Sequence, residues 1–230
     1  MNRNLKITRN GFFEIFADSL TLYEHSLIIE QKNNDAFSKS CFLSVNYALE
    51  AAANSFLKSI DISDDLSRQV ERFSTLDKFD FVLQWHTGKK LPKGVKVSQD
   101  IKKIIKDRNE MVHPKIIDKV VNVETSFDNS KLGAFHKETA NEEDCGIVYV
   151  NSKIAFNAIK SLVEFLNEYI INWWGITTRD VSLFLFPVWH ASMRPMYESE
   201  SLRTVLRHKN SLGILFLDID GIERQFKDLL

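Results

Sequence analysis

An arginine, an amide and an imidazole stand close together in Asp107-Arg108-Asn109-Glu110-Met111-Val112-His113-Pro114-Lys115. These residue types can handle a phosphate ester. A guanidinium presents a planar fork that matches non-bridging phosphate oxygens, a geometry Lys cannot reproduce. An imidazole with an unperturbed pKa near about 6.5 can accept or deliver a proton at neutral pH. Spacing alone is weak evidence, because six His and ten Arg in 230 residues give roughly one chance match to so loose a pattern. Arg203-Thr204-Val205-Leu206-Arg207-His208 is such a second match. It lies on a short segment leading into the apolar run Leu212 to Leu217, with no helical array of its own before it, and reads as a decoy.

Three features favour the first copy: Asn109 directly follows Arg108, Pro114 directly follows His113, and helix-period segments precede it. Each helical residue turns about 100°, so Asn109 and His113 share a face, while Arg108 is offset from His113 by about 140°. A regular helix would not bring Arg108 and His113 together. Proline at 114 disfavours the α conformation for the residue before it, which lets His113 leave the helical path. The structural alternative for Arg108 is simpler, since a cation at a helix C-terminus is favoured by the dipole without any substrate.

The elements that must position this segment are helical. From about Gly11 to Gln31, Phe12, Phe13, Phe16, Leu20, Tyr23 and Leu27 recur at helical intervals. A second run from about Ala36 to Ile60 carries Phe37, Cys41, Val45, Leu49, Ala52 and Phe56 at three- or four-residue steps. Leu66 to Trp85 predicts one or two helices with an interruption near Ser74-Thr75, where an N-cap side chain is available. Gly88 to Gly94 reads as a loop, and Ser98 as the N-cap of a helix from Gln99 to Val112 that carries the motif on its last turns. Residues 116–150 suggest a small hairpin or a flexible insertion, with order doubtful from Asp128 to Asp144. Asn151 or Ser152 caps a strongly periodic helix through Trp173, and Gly175 offers its stop. Val181 to Trp189 and Leu212 to Asp218 read as buried strands flanking a helix around Ser199 to His208.

The Arg-Asn-x3-His arrangement, set behind several helical segments, resembles the signature of the HEPN superfamily over about residues 10–175. That resemblance implies a mainly α fold: a HEPN-like antiparallel helical bundle over residues 1–175, with a small α/β C-terminal appendage over 176–230. It further implies a metal-independent endoribonuclease needing no cofactor, with Arg108, Asn109 and His113 as catalytic residues. RNA would be the substrate, a homodimer would bring two motifs to one cleft, and a toxin or antiviral effector of this sort implies an inhibitory protein partner. The rival is a non-catalytic HEPN-like module that dimerises or binds RNA, in which Arg108 and His113 hold helix ends.

Supporting groups are read from the residues themselves. Asn46, Glu50 and Asn54 follow one another at i, i+4 as a polar stripe on the second helix, either facing solvent or facing Arg108 to fix its guanidinium. Lys89, Lys90, Lys93 and Lys115 are candidate RNA-binding cations, or simply solvated loop residues. A net charge of −1 argues against a protein that wraps duplex nucleic acid but permits a small RNA site. Cys41 and Cys145 lack zinc-type spacing, and His25, His86 and His136 are isolated, so no metal site is expected. The pair Asp218 and Asp220 resembles a magnesium-binding strand end but lacks the further ligands such sites need, and Trp173, Trp174 and Trp189 read as core. No secretory signal or membrane span is expected, and a cytoplasmic location follows by default.

Overall fold

Eight helices are ordered along the described chain in a computed structural model that describes residues 10–28, 36–114, 148–186 and 199–218. They are α1 (Phe12–Ile28), α2 (Ala36–Leu57), α3 (Asp64–Val70), α4 (Thr75–Thr87), α5 (Lys96–Val112), α6 (Ser152–Asn167), α7 (Thr178–Leu185) and α8 (Ser199–Leu212). The last turns of α6 widen into a π-helical segment, Glu168–Trp174. The fold is mainly α, and no strand occurs among the described residues.

Local chemistry explains most boundaries. Ser74 accepts a hydrogen bond from the Asp77 backbone N–H at 3.3 Å and starts α4, dividing the Leu66–Trp85 run in two. Gly88 ends α4 in the left-handed conformation, at φ 71°, where a side chain would be strained. Asn151 caps α6 by accepting from Ile154 N–H at 2.9 Å, and Gly175, at φ 74°, stops the π-helical segment. The start of α5 departs from expectation. It begins at Lys96 with no side-chain cap, and Ser98 is buried inside the helix with its hydroxyl unpartnered among the described residues.

The two expected C-terminal strands are also corrected. Val181 to Leu185 is helical, because Thr177 and Asp180 cap each other: the Asp180 N–H donates to Thr177 Oγ1 at 3.1 Å, and the hydroxyl donates to the carboxylate at 2.7 Å. Val181 and Leu185, one turn apart, are then both buried while Leu183 is exposed. Ile214 to Asp218 is irregular. Its backbone groups find a side chain instead of a neighbouring strand: Asn167 Oδ1 accepts from Leu215 N–H at 3.0 Å and Phe216 N–H at 2.9 Å, while Asn167 Nδ2 donates to Gly213 O at 2.7 Å. The remainder of that expectation, including Trp189, lies outside the described residues, as does nearly all of the expected hairpin within 116–150.

One hydrophobic core collects residues from α1, α2 and α4 to α8. Phe12 and Phe16 stack at 5.7 Å, and Phe216 meets both edge-on, so the segment after α8 closes over α1. Around Tyr169, the rings of Phe56, Phe79 and Phe165 lie within 6.0 Å, and the buried phenol donates to Phe79 O at 2.9 Å. Truncating such a ring, as in Phe79→Ala, costs about 3–5 kcal/mol through lost transfer energy and the cavity left behind. The described C-terminal residues Val181, Leu185, Phe186, Leu202 and Val205 belong to this same core.

Candidate functional site

The motif occupies the C-terminal end of α5, which packs on α2 and α6 through Ile101 and Ile104. The helix ends at Val112, and His113 takes φ −129° and ψ 63° while its N–H still donates to Asn109 O at 3.0 Å. The break falls where Pro114 forbids the residue before it an easy helical conformation. His113 is exposed and leaves the path of α5, so the imidazole reaches water at the helix end.

Arg108 is held differently. It is half-buried, with its Cζ 5.8 Å from the ring centroid of Tyr47 on α2, and Nη1 donates to Asn109 Oδ1 at 3.0 Å. Among the described residues its buried Nε has no partner and no carboxylate pairs with the guanidinium. A guanidinium with donors to spare and no counter-charge can take an incoming anion. Asn109 and Glu110 are exposed, and Glu110 is answered within its own helix by Lys106 at 3.6 Å.

Among the described residues no hydrogen bond or ion pair joins the stripe on α2 to Arg108. Asn46 is buried and donates to Phe42 O of its own helix at 2.9 Å. Asn54 Oδ1 accepts from Lys78 Nζ at 2.8 Å, and Glu50 makes no hydrogen bond among the described residues. The contact between α2 and Arg108 therefore runs through Tyr47, an aromatic face that the sequence reading did not single out.

The basic residues divide. Lys89 and Lys90 are exposed and free of ion pairs among the described residues. Lys93 bonds Asp77 at 2.8 Å and reaches Asp80 at 3.5 Å; the Asp77 hydrogen bond holds the ammonium pKa above its ordinary value and the Asp77 carboxyl below. Its charge is spent inside the protein. Lys115, Cys145, His136 and Asp220 lie outside the described residues. His86 is exposed, yet its ring stacks on Trp174 at 5.0 Å and bonds Ser59 at 2.8 Å, and the partial desolvation there pushes its pKa down.

The second Arg-x4-His copy is fully engaged. His208 Nε2 lies 2.9 Å from Glu24 Oε1, Arg207 spans both oxygens of the same carboxylate at 3.1 and 3.0 Å, and Arg203 reaches Glu200 at 3.7 Å. Glu24 thereby ties α8 to α1. No group of three or more His, Cys, Asp or Glu side chains that could hold a metal occurs among the described residues. Nor is any described helix long and apolar enough to cross a membrane. Comparison with known proteins returns no match: no family model, no curated protein and no solved structure is significantly similar to the chain.

Proposed function

We propose that this protein is a metal-independent endoribonuclease of the HEPN-like kind, acting on RNA as a cytoplasmic homodimer. The observation that carries the reading is the end of α5, where a guanidinium with no carboxylate partner among the described residues and a water-exposed imidazole lie five residues apart, the second freed from the helix by Pro114. In the reaction, the RNA 2′-hydroxyl attacks the adjacent phosphorus, the P–O5′ bond breaks, and the products are a 2′,3′-cyclic phosphate and a free 5′-hydroxyl. Arg108 binds the non-bridging oxygens and offsets the charge that grows on them. Asn109, bonded to Arg108, sets the orientation of the fork. His113 takes the hydroxyl proton or delivers one to the leaving oxygen, a contribution typically of about 10²–10⁴ in rate. One protomer supplies one such imidazole, and a second copy supplies the other member of the acid–base pair. Lys89 and Lys90, exposed and without ion pairs among the described residues, meet the RNA backbone.

The test is incubation of the full chain with mixed-sequence RNA in excess chelator, beside Arg108→Ala and His113→Ala. Loss of cleavage in both variants, with cyclic phosphate ends in the wild type, supports the proposal; equal cleavage in all three removes it. Expression adds a second measure. An effector of the toxin or antiviral type slows host growth until an inhibitory protein is supplied, and the double variant does not.

A second reading rests on a specific observation of its own. Arg108 already stacks on Tyr47 and bonds Asn109, contacts that a non-catalytic dimeric or RNA-binding module would use to hold α5 on α2. RNA binding without cleavage, unaffected by His113→Ala, is the result that favours it.

A further inference from the structure

Between α2, α3 and α4 lies a cleft of about 390 Å³ whose polar lining is Glu50, Asn54, Lys58, Ser67, Glu71 and Lys78. Lys78 is its unusual member. It stands one turn before Val82 on the core-facing side of α4 and is only 4% exposed. Lysine is rarely buried without a partner, because an ammonium removed from water must have its charge and its three donors answered. Among the described residues a single neutral oxygen, Asn54 Oδ1 at 2.8 Å, answers one donor, and no carboxylate comes within ion-pair distance.

Glu50 and Glu71 line the same cleft without reaching this ammonium, so charges of both signs face a volume that admits a small molecule. The two lysines and two glutamates cancel. A bare anion drawn to Lys78 would meet repulsion from both carboxylates, and a bare cation would meet the converse from the lysines. A molecule carrying an anionic group and a donating cationic group satisfies both.

We propose that this cleft binds a small amphoteric ligand, with its anionic end on Lys78 and Lys58 and its ammonium end on Glu50 and Glu71. The lining of the cleft includes no residue of α5, and the proposal stands whether or not the ribonuclease reading does.

Calorimetric titration of the full chain tests it, using phosphoethanolamine and β-alanine as amphoteric probes beside inorganic phosphate and ethylammonium as single-charge controls. At least one amphoteric probe is expected to bind at one site, at least about tenfold tighter than either control, and to raise the thermal midpoint. Lys78→Met, which keeps the buried stem and removes the charge, is expected to weaken that binding at least about tenfold. Glu50→Gln erases the advantage of the amphoteric probe over its anionic counterpart. Asn54→Asp gives Lys78 an internal carboxylate and decides the question if Lys78→Met does not fold: it is expected to fold and to bind at least about tenfold more weakly. Amphoteric probes that bind no tighter than the controls, or that bind Lys78→Met or Asn54→Asp as well as the wild type, overturn the proposal.

Discussion

Two segments of this protein share one spacing, Arg108 to His113 and Arg203 to His208, and the fold treats them in opposite ways. At α8 the imidazole and its neighbouring guanidinium are both claimed by Glu24, and Arg203 is claimed by Glu200. At α5 neither Arg108 nor His113 has a carboxylate partner among the described residues, and Pro114 turns His113 out of the helix. A spacing rule sees residue types, whereas reactivity depends on which charges remain unanswered once the helices have packed. In the C-terminal copy the side chains join two helices; in the earlier copy no described carboxylate claims either group.

The largest expected effect separates the two copies directly. On the ribonuclease reading, Arg108→Ala and His113→Ala each lower RNA cleavage by about 10²–10⁴, the range for losing a proton-transfer or oxyanion-stabilising group. Arg203→Ala and His208→Ala leave the rate per folded molecule unchanged. Single-turnover cleavage assays on all four, corrected for folded fraction by circular dichroism, check this. A drop of similar size in His208→Ala would erase the distinction between the copies.

Stability runs the other way. Glu24→Gln removes the negative charge that Arg207 and His208 share in holding α8 on α1. The expected cost is about 1 kcal/mol, held down because Arg207 is half exposed to screening water. Urea unfolding of the full chain reads it, and His113→Ala in the same experiment is expected to stay within about 0.5 kcal/mol of wild type, as an exposed residue should.

The same latch has a pH signature. Burial alone pushes the Glu24 carboxyl up, but the hydrogen bonds and charges of Arg207 and His208 together outweigh it, and the group titrates below its ordinary value. Its folded pKa is thus lower than its unfolded one. The stabilisation is complete above the ordinary carboxylate range and disappears as pH falls through the depressed value. The stability gap between wild type and Glu24→Gln should be full at pH 7 and close only as the pH falls through the depressed Glu24 value, since a protonated Glu resembles Gln. A gap that persists into strong acid would mean that shape, not charge, holds the two helices.

How much of this was legible depends on the range over which each residue acts. Ser74, Gly88, Asn151 and Gly175 mark element ends through bonds and torsions within a few residues, and the structure has each of them at such an end. The run from Val181 misled because six apolar or small residues fit a buried strand and a short helix equally; the decision lay with the mutual cap of Thr177 and Asp180. Ile214 to Asp218 resembles a strand in composition, yet its backbone groups are satisfied by Asn167, 46 to 49 residues earlier in the chain. Lys78 could have been noticed, because it sits four residues before Val82 on a core-facing position where a charge is out of place. Tyr47 could not, since its contact with Arg108 exists only once α2 and α5 are packed.

That contact supplies the smallest and most discriminating of the expected effects. Tyr47 is 46% exposed, so replacing it should barely disturb the core; its ring lies under the Arg108 guanidinium at 5.8 Å, a cation–π contact of about 0.5–1 kcal/mol at an exposed site. Tyr47→Phe keeps the ring and should leave cleavage and stability at wild-type levels. Tyr47→Leu keeps an apolar side chain but removes the π face, and frees Arg108 to sample other rotamers. If Arg108 positions phosphate, cleavage should fall roughly two- to fivefold in Tyr47→Leu, the rate equivalent of that contact energy. Stability should change by no more than about 1 kcal/mol. If Arg108 serves only to dock α5 on α2, the unfolding free energy moves and RNA binding does not. The two outcomes differ in which measurement responds, so a substitution of small total effect still decides whether α5 holds its guanidinium for a ligand or for the fold.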